Sequence, residues 1–178
     1  MTNLQQIFRR PLAKASTVAV AAFFVIALIG FADATYLTVE HYRGVIPPCS
    51  VTSGCETVLT SAYSTIMGLP DSLLGSVYYL IMAVAAFLFL ESRHGSGTIA
   101  AHHYAILKWA LLGTVVGFSM SLWFVYLQAF VLHSYCQYCL GSAATSTILF
   151  VMAIFMLRRR QAKEDGQAER SPAQTAAQ

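Results

Sequence analysis

Four stretches of the chain are nearly free of polar residues, and the segments between them are short. They run from about Ala15 to Leu37, Ser72 to Leu90, Tyr104 to Leu132 and Tyr138 to Leu157. Each approaches or exceeds the roughly 20 residues that a helix needs to cross about 30 Å of hydrocarbon. A backbone in lipid must satisfy its own hydrogen bonds, so such stretches are read as helices. No Asp, Glu, Lys or Arg occurs between Trp109 and Leu157, and the polar break at His133–Tyr138 divides that region into two spans joined by a tight turn. The pattern predicts an all-α integral membrane protein. It is a four-transmembrane-helix bundle over residues 15–157, preceded by residues 1–14 and followed by 158–178.

Composition sharpens this picture. With 57% hydrophobic and 11% charged residues and a mean hydropathy of +0.60, the chain is too apolar for an ordinary soluble domain of 178 residues. Ala32-Asp33-Ala34 looks like a signal-peptide cleavage site, but the apolar run Ala15–Phe31 exceeds the usual 7–15-residue core of such a signal, roughly counted. The first span is therefore read as retained. Asp33 falls near its end and reads as an interfacial hydrogen-bonding residue. The segment 158–178, rich in charge, Gln and Ala without apolar periodicity, reads as a disordered tail.

Charge adds an orientation. Ten of the eleven basic residues flank the spans on one face: Arg9, Arg10, Lys14, Arg93, Lys108, Arg158, Arg159, Arg160, Lys163 and Arg170. Only Arg43 lies on the other. By the positive-inside rule both termini are cytoplasmic, and the loop 38–71 and the His133–Tyr138 turn lie outside. The basic excess is explained by topology and the anionic headgroups of the lipid bilayer, and no nucleic acid is needed.

All four cysteines sit in those outer segments: Cys49 and Cys55 in the loop, Cys136 and Cys139 as a C-x-x-C at the entry to the last span. The loop carries Pro47-Pro48 before Cys49 and Gly54 before Cys55, and a short lid helix is expected from Glu56 to about Ala62, capped from Ser53-Gly54. A Cys49–Cys55 bond is geometrically easy and closes only a small loop, which makes it a weak staple and a reasonable exchangeable carrier. At the first turn of a helix the dipole and free N–H groups favour the thiolate of Cys136, while Cys139 lies one turn deeper, where a lipid-soluble oxidant can meet it. Two other readings share these residues. One is a four-cysteine zinc site helped by His133 and His41. The other is a non-enzymatic four-span protein braced by structural disulfides. Gly113 and Gly117 form a G-x-x-x-G that reads as close helix packing. Trp123, Phe124, Tyr126 and Phe130 suit either a ligand pocket or a membrane interface. His94, His102 and His103 read as solvent-facing.

Together these residues resemble the bacterial form of the vitamin K epoxide reductase family across about Val18–Leu157. The likeness rests on Tyr36-Leu37-Thr38 to His41-Tyr42, Cys49 with Cys55, and Glu56, Val58, Leu59 and Ser61. It continues through Gly68-Leu69-Pro70, Gly75 and Tyr79 to the C-x-x-C of the last span. The order of the two cysteine pairs is opposite to that of the periplasmic disulfide-bond oxidases of the DsbB type, which carry C-x-x-C first. The resemblance implies a four-helix bundle holding a quinone (menaquinone or ubiquinone, vitamin K-like) near Cys139, with Asp71, Tyr79 and Trp123 as further candidate contacts. It also implies that Ser61 lies beside the loop cysteines and helps control exchange. The expected partner is a separate, secreted thioredoxin-fold (DsbA-like) protein, because no fused domain follows the fourth span. Asp71 stands where animal members place an Asn and Ala143 where they place a Tyr, so epoxide reduction and animal-type anticoagulant binding are not implied. The reading is a quinone-dependent thiol–disulfide oxidoreductase. Cys49 meets the partner, Cys55 shuttles to Cys136, and Cys139 faces the quinone.

Overall fold

The computed structural model describes residues 17–94 and 99–175. The expected N-terminal segment 1–14 and the side chains of His94, His102 and His103 lie outside the described residues. Four helices are long and apolar enough to cross a membrane, over Thr17–Arg43, Asp71–Glu91, Trp109–Val131 and Gln137–Met156. They belong to α1 (Thr17–Arg43), α3 (Asp71–His94), α4 (Ile99–Tyr126) with a π-helical turn at Leu127–Val131, and α5 (Gln137–Thr175). The short α2 (Cys55–Leu59) sits in the loop between α1 and α3.

The helices close into a ring in which α1 packs on α3, α3 on α4, α4 on α5 and α5 back on α1. Val20, Phe23, Ala27, Tyr79, Met82, Ala83, Ala86, Phe89 and Leu149 fill its interior. Large apolar side chains such as Ile29, Val116 and Val151 face outward. In water such a surface is unfavourable, and in lipid it is the matching solvent. Small residues set the approach of the helices. A Cβ at Gly113 would overlap the Met82 methyl, and one at Gly117 the Tyr78 ring, so the G-x-x-x-G receives two side chains of α3.

Helix α1 runs six residues past the hydropathy boundary at Leu37. It ends at Gly44 (φ +66°), where the Gly44 N–H bonds the His41 carbonyl (3.1 Å) and the Val45 N–H the Glu40 carbonyl (3.0 Å). These are the paired bonds of a Schellman cap, which needs a left-handed residue. The lid helix is shorter than expected. Gly54 occupies its N-cap without a side-chain bond, and Thr60 ends it by turning its N–H (3.0 Å) and hydroxyl (2.7 Å) onto the Glu56 carbonyl. Next comes a small hairpin that the sequence reading did not include, with Thr65 opposite Pro70 and Ile66 opposite Leu69. Its turn, Met67-Gly68, has φ of 54° and 83°, the two left-handed residues of a tight hairpin turn. The backbone of α5 continues as helix to Thr175, across the segment read as a tail. The Ala, Gln, Glu and Arg that deny this stretch an apolar face are also good helix formers.

Candidate functional site

The C-x-x-C is set up by a defect in α4. At Leu127–Val131 the helix widens to a π turn, closed by the Leu132 N–H on the Leu127 carbonyl (2.8 Å). Such turns often accompany functional sites because they re-aim one side chain. Here it is Gln128, 2% exposed, whose Oε1 accepts the Cys136 N–H at 2.8 Å. The same residue's carbonyl accepts the Ser134 N–H (3.1 Å), which ties down the turn before α5. Cys136 is thereby held, fully buried, at the mouth of the last helix.

Cys49 and Cys55 form a disulfide with Cα atoms 6.0 Å apart. They differ in exposure: Cys55 is 1% exposed at the start of α2, and Cys49 is half-exposed. Thr52 Oγ1 lies 3.5 Å from the Cys49 sulfur. In this disulfide state Cys49 and Cys55 offer no thiolate to a metal. Among the described residues no group of three or more His, Cys, Asp or Glu is arranged to hold a metal.

The loop that carries the first cysteine pair packs against the turn that carries the second. A Cβ at Gly54 would lie 2.6 Å from the Tyr135 backbone nitrogen and 2.9 Å from its carbonyl oxygen, so the loop backbone presses directly on the residue before Cys136. Cys55 and Cys136 are the buried neighbours of that contact. The interior of the C-x-x-C strengthens it. Gln137 Oε1 accepts the backbone N–H groups of Val51 (2.8 Å) and Ser50 (3.1 Å), and its Nε2 donates to the Pro48 carbonyl (3.4 Å). The Tyr138 hydroxyl donates to that same carbonyl at 3.0 Å. Both residues between Cys136 and Cys139 therefore grip the segment around Cys49.

Cys136 and Cys139 are free thiols. A hydrogen bond from the Cys139 thiol, joined by the backbone N–H groups of Cys139 and Tyr138, lowers the Cys136 pKa from 9.0 to about 7 against the opposing effect of burial. The shift favours the thiolate of Cys136, the form active in thiol–disulfide exchange.

Below Cys139 opens a cavity of about 250 Å³. Asp71, Tyr79 and Cys139 line it together, as do Asp33, Ala143 and Phe124. Its size is close to the lower end of the 300–1,000 Å³ of typical small-molecule sites, roughly counted, and suits a planar ring. Tyr79 is locked in place, since its hydroxyl meets the Ser142 carbonyl (2.6 Å) and Thr145 Oγ1 (2.8 Å), and its ring occupies the space where Gly30 lacks a Cβ. Trp123 is placed elsewhere: 52% exposed, it stacks on Tyr126 on the outer face of α4, and the next residue, Phe124, turns inward. A step of one residue rotates a helix position by about 100°, enough to turn one of these two candidates outward and the other inward. Ser61 bonds the Val58 carbonyl (2.8 Å) and lines a small space of about 20 Å³ that Cys139 and Gln128 also line. It is thus placed toward the second cysteine pair. Asp33, read as interfacial, points inward, with Oδ2 buried and without a hydrogen-bond partner among the described residues.

Gln128, Gln137 and Tyr138 escaped the sequence reading. The signal for Gln128 was present, since an amide inside a charge-free apolar region requires a partner.

Residues 21–154, about three quarters of the 178-residue chain, match the family model described as vitamin K epoxide reductase family. No curated protein compared with the chain matches it. The match spans all four cysteines, the π turn and the cavity, and the chain belongs to the vitamin K epoxide reductase family, membrane thiol–disulfide oxidoreductases that use quinones.

Proposed function

We propose that this protein oxidises a thioredoxin-fold dithiol outside the cytoplasmic membrane and passes the electrons to a membrane quinone, supporting disulfide formation. The observation that carries this reading is the seating of Gly54 against Tyr135, which sets the segment ending in buried Cys55 against the segment ending in buried Cys136 and supports exchange between them. The basic residues, ten of eleven on one face, support an outward-facing loop.

A partner thiolate attacks Cys49, the more exposed member of the loop disulfide, and Cys55 leaves as a thiolate. The partner's second thiol then displaces Cys49, and the partner departs oxidised with the loop reduced. When Cys136 and Cys139 are joined as a disulfide, Cys55 attacks the Cys136 sulfur and Cys139 leaves. Cys49 then attacks Cys55, re-forming the loop disulfide and freeing Cys136. Each exchange passes through a mixed disulfide and conserves two electrons. Gln128 holds the Cys136 backbone throughout. Asp71, Tyr79 and Cys139 are the residues that would hold a quinone in the cavity, and such a group supplies a two-electron, two-proton acceptor. Leu37, Phe124 and Ala143 line the cavity with Cys139 and limit its contact with water.

The test uses right-side-out membrane vesicles containing the full chain and a reduced thioredoxin-fold protein. Without quinone, Cys49 and Cys55 become reduced and take up a membrane-impermeant maleimide. Adding quinone restores their protection. If the pair stays protected in both conditions, or reacts only after lysis, the reading is refuted.

A further inference from the structure

The polar side chains around the cavity are largely accounted for. Tyr79 is satisfied by Ser142 and Thr145, and Thr38 by Ala34 and Ser72. Three buried polar atoms have no hydrogen-bond partner among the described residues: Asp33 Oδ2, the Tyr78 hydroxyl and Ser146 Oγ. All three residues line the cavity that Cys139 lines. Buried polar atoms are nearly always paired, so three orphans in one cavity point to an occupant that pairs them.

Their positions indicate which part of the occupant. Ser146, 2% exposed, follows Cys139 by seven residues and lies on the same face of α5, about 10 Å further along the axis. That spacing leaves room between the two side chains for a six-membered ring with an oxygen on each of two opposite edges. Tyr78 and Ser146 face one another closely enough to interact but outside hydrogen-bond geometry. Gly117 makes this possible, because a Cβ there would overlap the Tyr78 ring and hydroxyl. Ala143, between Cys139 and Ser146 on the cavity wall, offers no donor. The Tyr78 and Ser146 hydroxyls can each donate to a carbonyl oxygen whatever the charge of Asp33, so the anchor is built from these two alone.

We propose that the Tyr78 and Ser146 hydroxyls form a second polar anchor, donating to the carbonyl oxygen remote from Cys139 on a ring that carries two opposed carbonyls. This rests on the quinone reading above and adds how the ring is oriented.

The test uses the full chain in lipid nanodiscs with Cys136 and Cys139 oxidised, so that no turnover occurs. The probe is a dimethyl-naphthoquinone without an isoprenoid tail, whose two carbonyls are equivalent by symmetry. Bound to the unmodified protein it should show two infrared carbonyl bands, the lower from the oxygen that accepts two hydroxyls. Tyr78→Phe with Ser146→Ala should abolish the lowered band and weaken binding about tenfold or more. Ser146→Ala alone should reduce the downshift. Each change removes one oxygen, and near-UV circular dichroism without probe checks that packing is kept. Unchanged bands in the double variant, with or without weaker binding, overturn the anchor while leaving the quinone reading intact. A probe that fails to bind the unmodified protein overturns both.

Discussion

Replacing Gln137 by Ala removes the clamp that seats the loop without touching a cysteine. Two well-formed bonds are lost, from the Val51 N–H at 2.8 Å and the Ser50 N–H at 3.1 Å, with a longer one to the Pro48 carbonyl at 3.4 Å. Each short bond is worth a net of about 0.5–1.5 kcal/mol. The contacts are exposed, so water replaces part of each, and the total is about 1–2 kcal/mol. That lowers the ratio of docked to undocked loop by about 5–30-fold. The Tyr138 hydroxyl still holds Pro48, so the loop is loosened and not released. Two measurements read this out. Hydrogen exchange should show the Ser50 and Val51 amides losing protection. In a Cys49→Ser, Cys139→Ser background, the bond between Cys55 and Cys136 should form more slowly by a similar factor when a fixed dose of a small-molecule thiol oxidant such as diamide is added. Gln137→Glu keeps an acceptor for both amides and should recover most of the rate. Trapping at the original rate, with both amides unprotected, would refute the idea that the interior of the C-x-x-C positions the loop.

Three further outcomes follow from the same geometry. Gly54→Ala places a methyl 2.6 Å from the Tyr135 nitrogen, a backbone atom that cannot rotate away, and should lift the loop so that Cys55 alkylates readily after reduction. Gln128→Leu leaves the buried Cys136 N–H without its acceptor, a loss of about 1–3 kcal/mol, and should lower the thermal midpoint by about 2–4 °C per kcal/mol; an unchanged midpoint would contradict the role of the π turn. The depressed Cys136 pKa means that thiolate absorbance should rise with pH around a midpoint of about 7. Cys139→Ser retains a hydroxyl donor and should keep that midpoint low, whereas Cys139→Ala should move it up toward 9.0, the ordinary value. Because the folded pKa lies below the unfolded one, the stabilisation from this thiolate is present above the unfolded value and is lost as pH falls through about 7.

Hydropathy alone determined the four spans, because a helix in lipid must be apolar over a fixed length whatever it packs against. Residue chemistry determined the cysteine pairs, and spacing determined which pair opens a helix. The rotation of each helix was decided by tertiary structure. A membrane helix is apolar on its lipid face and on its packed face alike, so its pattern carries little record of which residues turn inward. Of the aromatic candidates Trp123 therefore faces outward while Phe124 lines the cavity, and Asp33 proved to face the cavity as well. Gln128 acquires its partner only through a π turn, whose extra residue leaves no mark in composition. The clamp of Gln137 and Tyr138 on the Pro48–Val51 segment joins residues almost ninety positions apart. No local pattern specifies that contact: it exists because four packed helices bring the α1–α3 loop over the mouth of α5, where Gly54 leaves room for the two backbones to touch.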